Sequence, residues 1–283
     1  MASFLIADSG STKTSWAWVD TQRPTEVKVW LTAGINPYFQ NSQEIAQTLH
    51  YEQISKKYPQ PVEQIFFYGA GCSTTENKQT VIKALKQHFP ESNIQVETDM
   101  LGAARSLCLN TKGITCILGT GSNTCLYDGQ AIAFQPLNLG FWLGDEGSGG
   151  YIGKQLILAF LHQTLPTHIA QDFSEKYELT LTTVLENAYQ KPYPNRYFAQ
   201  FAQFLANYQR DNFVHTLLYH SFEQFIDKYV SKIPNFQHYN IHFTGSIAYH
   251  FQAILRKVLA EKHLVCGKIT ESPVRGLIEY HVY

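Results

Sequence analysis

Phe4-Leu5-Ile6-Ala7-Asp8-Ser9-Gly10-Ser11-Thr12-Lys13-Thr14-Ser15-Trp16-Ala17-Trp18-Val19 stands near the start of the chain. Its ends are apolar runs of strand character, and Asp8 to Thr14 between them is small, hydroxylated or charged. The pattern predicts two short strands joined by a donor-rich hairpin turn. Glycine and small hydroxyl residues let backbone N–H groups approach an anion with no bulky side chain in the way. A second such turn, Gly119-Thr120-Gly121-Ser122, follows an apolar run at 114–118. Taken alone, either turn is equally well an ordinary polar hairpin. Two at matching places could face each other across a cleft and grip one triphosphate.

Working outward, the pattern predicts a third strand at 27–31, a helix at 42–58, a strand at 64–68 and a helix at 80–88. A strand at 93–96 and a helix at 100–109 follow. The strand set then restarts at 114–118, 123–127 and 131–135, with an Asp128-Gly129 turn. A β-β-β-α run thus occurs twice, a duplication of elements rather than of residues. Residues 146–234 read as mostly helical, interrupted by Pro166, Pro192 and Pro194, before a strand at 240–243, a helix at 246–259 and a strand at 264–269. The fold class is α/β, with chain crossings expected near 109–112 and 270–273.

The bulk properties narrow the function. At 283 residues the chain can bury two cores of ordinary size. Apolar content of 44% and charged content of 16% describe a soluble globular protein. A net charge of -1 gives no electrostatic case for nucleic acid or an anionic membrane. No basic leader precedes the first strand, and no later segment is apolar enough to span a bilayer, so a cytoplasmic location is expected. The five cysteines, Cys72, Cys108, Cys116, Cys125 and Cys266, are scattered without a Cys-x-x-Cys pair, which argues against a metal knuckle or a disulfide framework.

Other segments carry candidate chemistry. Asp8 can bind Mg²⁺ directly or through water, as a hard oxygen ligand does. Asp99 opens a predicted helix, where it is placed either as an N-cap or as a general base beside a substrate hydroxyl. Gly144-Asp145-Glu146-Gly147-Ser148-Gly149-Gly150 has more glycine than a cap requires and reads as a ligand loop. Thr244-Gly245-Ser246-Ile247-Ala248 suits a flat ring lying on the backbone, and equally a plain strand-to-helix turn. Asn36, in Gly34-Ile35-Asn36-Pro37, is a turn residue or a sugar ligand. Gly69-Ala70-Gly71-Cys72 lacks the third glycine of a dinucleotide fingerprint and reads as a tight turn, while the run ending at Lys154-Gln155 misses the spacing and hydroxyl of a P-loop.

Gly119-Thr120-Gly121-Ser122-Asn123 with Leu143-Gly144-Asp145-Glu146-Gly147-Ser148-Gly149 resembles the N-acetylglucosamine kinases of the BadF/BadG/BcrA/BcrD ATPase family. The resemblance runs from Asp8 to the C-terminal Ser272-Pro273-Val274-Arg275-Gly276-Leu277-Ile278. It implies two ribonuclease-H-like, actin-like ATPase domains around a central ATP cleft: 1–110 joined by a C-terminal helix at 271–283, and 111–270 with a helical insertion. Carried over by position, Asp99 matches the catalytic aspartate and Asp8 the residue guiding Mg²⁺. Gly10, Ser11, Thr12 and Lys13 match the first phosphate loop, Thr120, Gly121 and Ser122 the second, and Gly245 with Ser246 the adenosine motif. Asn36, Asp99, Leu139, Gly140, Asp145 and Gly149 match sugar-binding positions. Thr98 stands where many relatives have asparagine, and Gly149 where some have alanine.

The resemblance implies ATP- and Mg²⁺-dependent phosphorylation of an amino sugar, with N-acetylglucosamine 6-phosphate as product. A kinase for N-acetylmuramic acid or glucosamine, and a non-catalytic ATP or sugar sensor, are the alternatives. The expected partners are a small-molecule sugar and ATP, without nucleic acid or membrane. A homodimer is compatible with the chain.

Overall fold

The computed structural model describes residues 3–58 and 61–282, so the outer limits of the predicted domains, residues 1 and 283, lie outside the described residues. In β1 (Ser3–Ser9), Leu5 and Ala7 enter one core while Phe4 and Ile6 enter another. Side chains alternate across a strand, so burial of both sets means the sheet is covered on both faces. β1 pairs antiparallel with β2 (Lys13–Asp20), and β2 antiparallel with β3 (Arg23–Ala33). After α1 (Ser42–Tyr51), β4 (Gln64–Gly69) runs parallel to β1. After α2 (Thr75–Lys86), β5 (Asn93–Thr98) runs parallel to β4, and α3 (Asp99–Cys108) follows. The strand order is β3-β2-β1-β4-β5.

The second half opens with β6 (Gly113–Leu118), β7 (Ser122–Tyr127) and β8 (Ile132–Phe134). A helical stretch follows: α4 (Gly140–Leu143), α5 (Gly149–Leu161), α6 (Thr167–Lys176), α7 (Leu181–Tyr189), α8 (Pro194–Ala202) and α9 (Asn212–Lys228). The remaining elements are β9 (Ile241–Thr244), α10 (Ser246–His250), α11 (Gln252–Glu261), β10 (Cys266–Thr270) and α12 (Val274–Val282). The second sheet has the order β8-β7-β6-β9-β10, which repeats the first strand for strand. The duplication is therefore one of topology. The chain is α/β, with a ribonuclease-H-like sheet in each half.

Two compact units result. One comprises Met1–Lys112, Tyr127–Ile132 and Ser272–Tyr283, and the other Gly113–Leu126 and Ala133–Glu271. In the first, Leu5, Trp16 and Phe67 pack with Ile45 and Leu49 of α1 and with Val81 and Leu85 of α2. On its other face, Phe4, Ile6 and Val19 pack with Val274 and Leu277 of α12. In the second, Ile114, Cys116 and Leu118 of β6 join Leu156 of α5, Phe198 of α8 and Phe225 of α9. No disulfide joins the cysteines, and among the described residues no helix is long and apolar enough to cross a membrane.

Three predicted helices differ in extent from those of the structure. The helix predicted at 42–58 ends at Tyr51, because Gln53 turns left-handed (φ 50°) and a short 3₁₀ turn delivers Ile54 to the core. The helix predicted at 246–259 is two, divided at Phe251, whose ring is buried. The helix predicted at 80–88 begins earlier, at Thr75, because Thr74 caps it through a bond from the Asn77 N–H.

Candidate functional site

In the first unit the β1–β2 turn consists of Gly10, Ser11 and Thr12, closed by the Gly10 N–H donating to the Lys13 carbonyl (3.0 Å). Thr12 and Lys13 are exposed and Ser11 is half-buried. Beneath the turn, the buried Ser9 hydroxyl bonds Thr14 Oγ1 (2.7 Å) and accepts from the Ile35 N–H (3.0 Å). That ties the turn to the segment carrying Asn36. Asn36 is buried, donates from Nδ2 to Ser11 Oγ (3.0 Å) and accepts the Tyr38 N–H at Oδ1 (3.0 Å). The candidate sugar residue and the candidate phosphate turn are therefore in direct contact. Gly69-Ala70-Gly71 forms a turn with Gly71 at φ 81°, and Asn36 and Tyr38 pack over it.

Asp8 is the penultimate residue of the central strand, β1, and Asp99 begins the helix after β5, two strands away. Burial raises the Asp8 pKa to about 7; the charge of Asp99 adds to this and Lys13 opposes it. Burial likewise raises the Asp99 pKa, against hydrogen bonds that include one from the Met100 N–H to Oδ1 (2.8 Å). Asp99 as a whole residue keeps some solvent-accessible surface. It is not the helix cap: that residue is Thr98, whose Oγ1 accepts the Leu101 N–H (3.2 Å).

The second unit carries the other turn, Gly119, Thr120 and Gly121 between β6 and β7. Its carbonyls accept from the first turn of α5, Gly149 N–H to Gly119 (2.8 Å) and Gly150 N–H to Thr120 (3.0 Å). The Ser148 N–H donates to the Asp145 carbonyl (3.0 Å) and the Tyr151 N–H to Ser148 Oγ (3.1 Å). These four amides at the start of α5 are thus committed within the protein, and Gly149 is buried there. The glycine-rich loop anchors the phosphate turn, leaving side chains as its means of meeting a ligand.

Asp145 supplies one such side chain. Its Oδ1 accepts the Ser122 N–H (3.2 Å), and its carboxylate packs against Gly121. Burial raises its pKa to about 6; the Ser122 bond opposes the rise and Glu146 adds to it. It sits at φ 61°, a left-handed conformation costing on the order of 1 kcal/mol for a side-chain-bearing residue. Leu139 is half-exposed, and the Gly140 N–H donates to Asn138 Oδ1 (2.8 Å). Asn138 Nδ2 in turn donates to the Ser122 carbonyl (2.8 Å). Gly245, at φ 116°, lies against the Leu118 carbonyl so closely that no side chain fits. Its neighbour Ser246 is half-buried at the start of α10. The candidate adenosine and phosphate segments of this unit are therefore adjacent.

Lys228 and Tyr229, which hold Glu146 of the glycine-rich loop, are the residues that sequence reasoning missed. The buried Glu146 carboxylate receives Lys228 Nζ at Oε1 (2.5 Å) and the Tyr229 hydroxyl at Oε2 (2.6 Å). Burial acts to raise its pKa, but the two bonds, a backbone hydrogen bond and the Lys228 charge together make the net shift downward. The partners lie 82 and 83 residues apart in sequence, and no local spacing links them.

The donor set also bears on a metal. No group of three His, Cys, Asp or Glu side chains able to hold one is found among the described residues. Mg²⁺ does not need such a cage when phosphate oxygens and water complete its shell. Asp8, the carboxylate of the Asp8 and Asp99 pair not needed as a base, fits that mode of binding, since a cation beside it offsets the burial that raises its pKa.

No family model and no curated protein matches the sequence. Solved structures do. A protein assigned as an N-acetylglucosamine kinase in Porphyromonas gingivalis is 37% identical, with a TM-score of 0.90 over 99% of this chain and 98% of that one. A protein assigned likewise in Chromobacterium violaceum has a TM-score of 0.73 at 15% identity over 99% of both chains. A ROK family glucokinase from Streptomyces griseus, solved with glucose and AMPPNP, has a TM-score of 0.58 at 13% identity, covering 99% of this chain and 98% of that one. The last two establish likeness of fold.

Proposed function

This chain belongs to the N-acetylglucosamine kinase family, and from that premise we propose that it transfers the γ-phosphoryl group of ATP to the 6-hydroxyl of N-acetylglucosamine. One observation carries the reading. Two carboxylates that burial makes poor anions, Asp8 and Asp99, share a unit with an asparagine bonded to the hydroxyl-rich turn. A sugar kinase needs this set: a base for the attacking hydroxyl, a carboxylate for the cation and donors for phosphate.

Asp99 takes the proton from the sugar hydroxyl as its oxygen forms the new P–O bond and the bond to ADP breaks. Its Oδ1 is oriented by Met100, leaving Oδ2 for the substrate. A raised pKa makes its anion a stronger base than an ordinary aspartate. Mg²⁺, held by Asp8 directly or through water, supplies neutralisation of the phosphate charge when bound. Ser11, Thr12 and Lys13 offer donors to phosphate in one unit, in a turn that Gly10 closes, and Thr120, Gly121 and Ser122 in the other. Asn36, Asp145, Leu139 and Gly140 contact the sugar, while Gly149 lets α5 lie against the phosphate turn. Gly245 and Ser246 receive the adenosine.

The test is an ADP-release assay with Mg-ATP and a panel of N-acetylglucosamine, N-acetylmuramic acid, glucosamine, glucose and no sugar. Release that requires N-acetylglucosamine supports the reading. Preference for N-acetylmuramic acid or glucosamine reassigns the substrate. ATP binding without sugar-dependent release points instead to a sensor.

A further inference from the structure

Glu146 is held at both carboxylate oxygens by the end of α9, from Lys228 in its last turn and from Tyr229 just beyond it. The adjacent Gly147 N–H donates to the buried Ser221 hydroxyl of the same helix (3.1 Å). Ser221 and Lys228 are seven residues apart, about two helical turns, so they share one face of α9. The loop is thus fastened to that face through Glu146 and Gly147. Immediately before them stands Asp145, left-handed and bonded to the Ser122 N–H at the second phosphate turn. A strained residue keeps its conformation only where its surroundings over-determine it.

We infer that Lys228 and Tyr229 are positioning residues, which act through Glu146 to hold Asp145 and, through it, the Gly119–Ser122 turn in the geometry needed for phosphoryl transfer. Neither residue needs to touch substrate. The Lys228 side chain is about half-exposed and its Nζ also reaches Gln224 Oε1 (3.2 Å), whereas the Glu146 side chain is nearly sealed from solvent. Removing the cation therefore leaves a buried carboxylate with one partner fewer and frees the loop to rearrange. An arginine can restore both charge and hydrogen bond.

The inference rests on the kinase reading for its consequence but not for its mechanics, and its test separates the two. Hydrogen–deuterium exchange is followed over residues 119–122 and 145–148 in the wild-type protein and in Lys228→Met, Tyr229→Phe and Lys228→Arg. Steady-state kinetics are measured on the same preparations, well below their melting temperatures. The expected result is faster exchange at Ser122 in Lys228→Met and Tyr229→Phe. A kcat loss of about tenfold or more should accompany it, as expected when a transition-state contact is displaced, with recovery in Lys228→Arg. Unchanged exchange at Ser122 overturns the coupling. Faster exchange with unchanged kcat overturns the positioning role. A lowered melting temperature with neither change reduces the cluster to a structural contact. If the wild type phosphorylates no sugar, the kinase reading fails, while the exchange experiment still decides whether α9 restrains the turn.

Discussion

Thr98 and Asp99 divide two tasks that one side chain cannot perform together. A capping side chain turns back onto the N–H groups of the first helical turn and is lost to a substrate. Thr98 does this through Leu101, and Asp99, one position later, keeps an oxygen for chemistry. Sequence spacing does not separate the roles, since threonine and aspartate are both good caps. Asn in place of Asp99 preserves its shape and its acceptor for Met100 but cannot take a proton. In Asp99→Asn, kcat should fall about 10²–10⁴-fold, the range for loss of a general base. ATP affinity, measured by calorimetry, should stay at the wild-type value. An equal loss of both would remove Asp99 from the role of base.

At the scale of elements, legibility follows locality. The two hairpins can be read because donor-rich turns lie directly between apolar strands, and the duplicated strand order follows from repeating that pattern. The end of α1 cannot be read, because the left-handed turn at Gln53 serves distant burial of Ile54 rather than any local stop signal. The candidate site divides the same way. Its turns, Asp8, Asp99 and Asn36 are visible as chemistry in sequence, whereas the hold on Glu146 depends on residues more than 80 positions away. Helix packing adds a further hidden constraint. Gly153 of α5 faces the Phe198 carbonyl of α8 in a contact too close for any side chain. Gly153→Ala should force these helices apart at a cost of about 1–3 kcal/mol. Urea denaturation should show that loss, and a stability equal to wild type would mean the helices separate freely.

For the molecule as a whole, the first unit is assembled from both ends of the chain, since α12 returns to cover a face of its sheet. His281 on α12 makes this closure sensitive to pH. Its ring stacks on Phe66 at 3.7 Å between centroids, and its Nε2 bonds the Tyr68 hydroxyl (2.8 Å). Burial, reinforced by the positive charge of Arg105, lowers its pKa to about 4. An unfolded chain takes a proton on this histidine near pH 6.5, whereas the folded protein resists it until about pH 4. The stability contributed by the neutral ring is therefore complete above pH 6.5 and declines as pH falls towards 4. Its size is about 2 kcal/mol after allowance for residual solvent contact. Trp16, Trp18 and Trp30 all lie in this unit, so tryptophan fluorescence reports largely on its unfolding. Comparing the wild type with His281→Leu cancels the titration of other groups. The stability advantage of the wild type should shrink by that amount between pH 7.5 and pH 4. A constant difference would mean that His281 is protonated equally in the folded and unfolded chains, and that acid acts on this unit elsewhere.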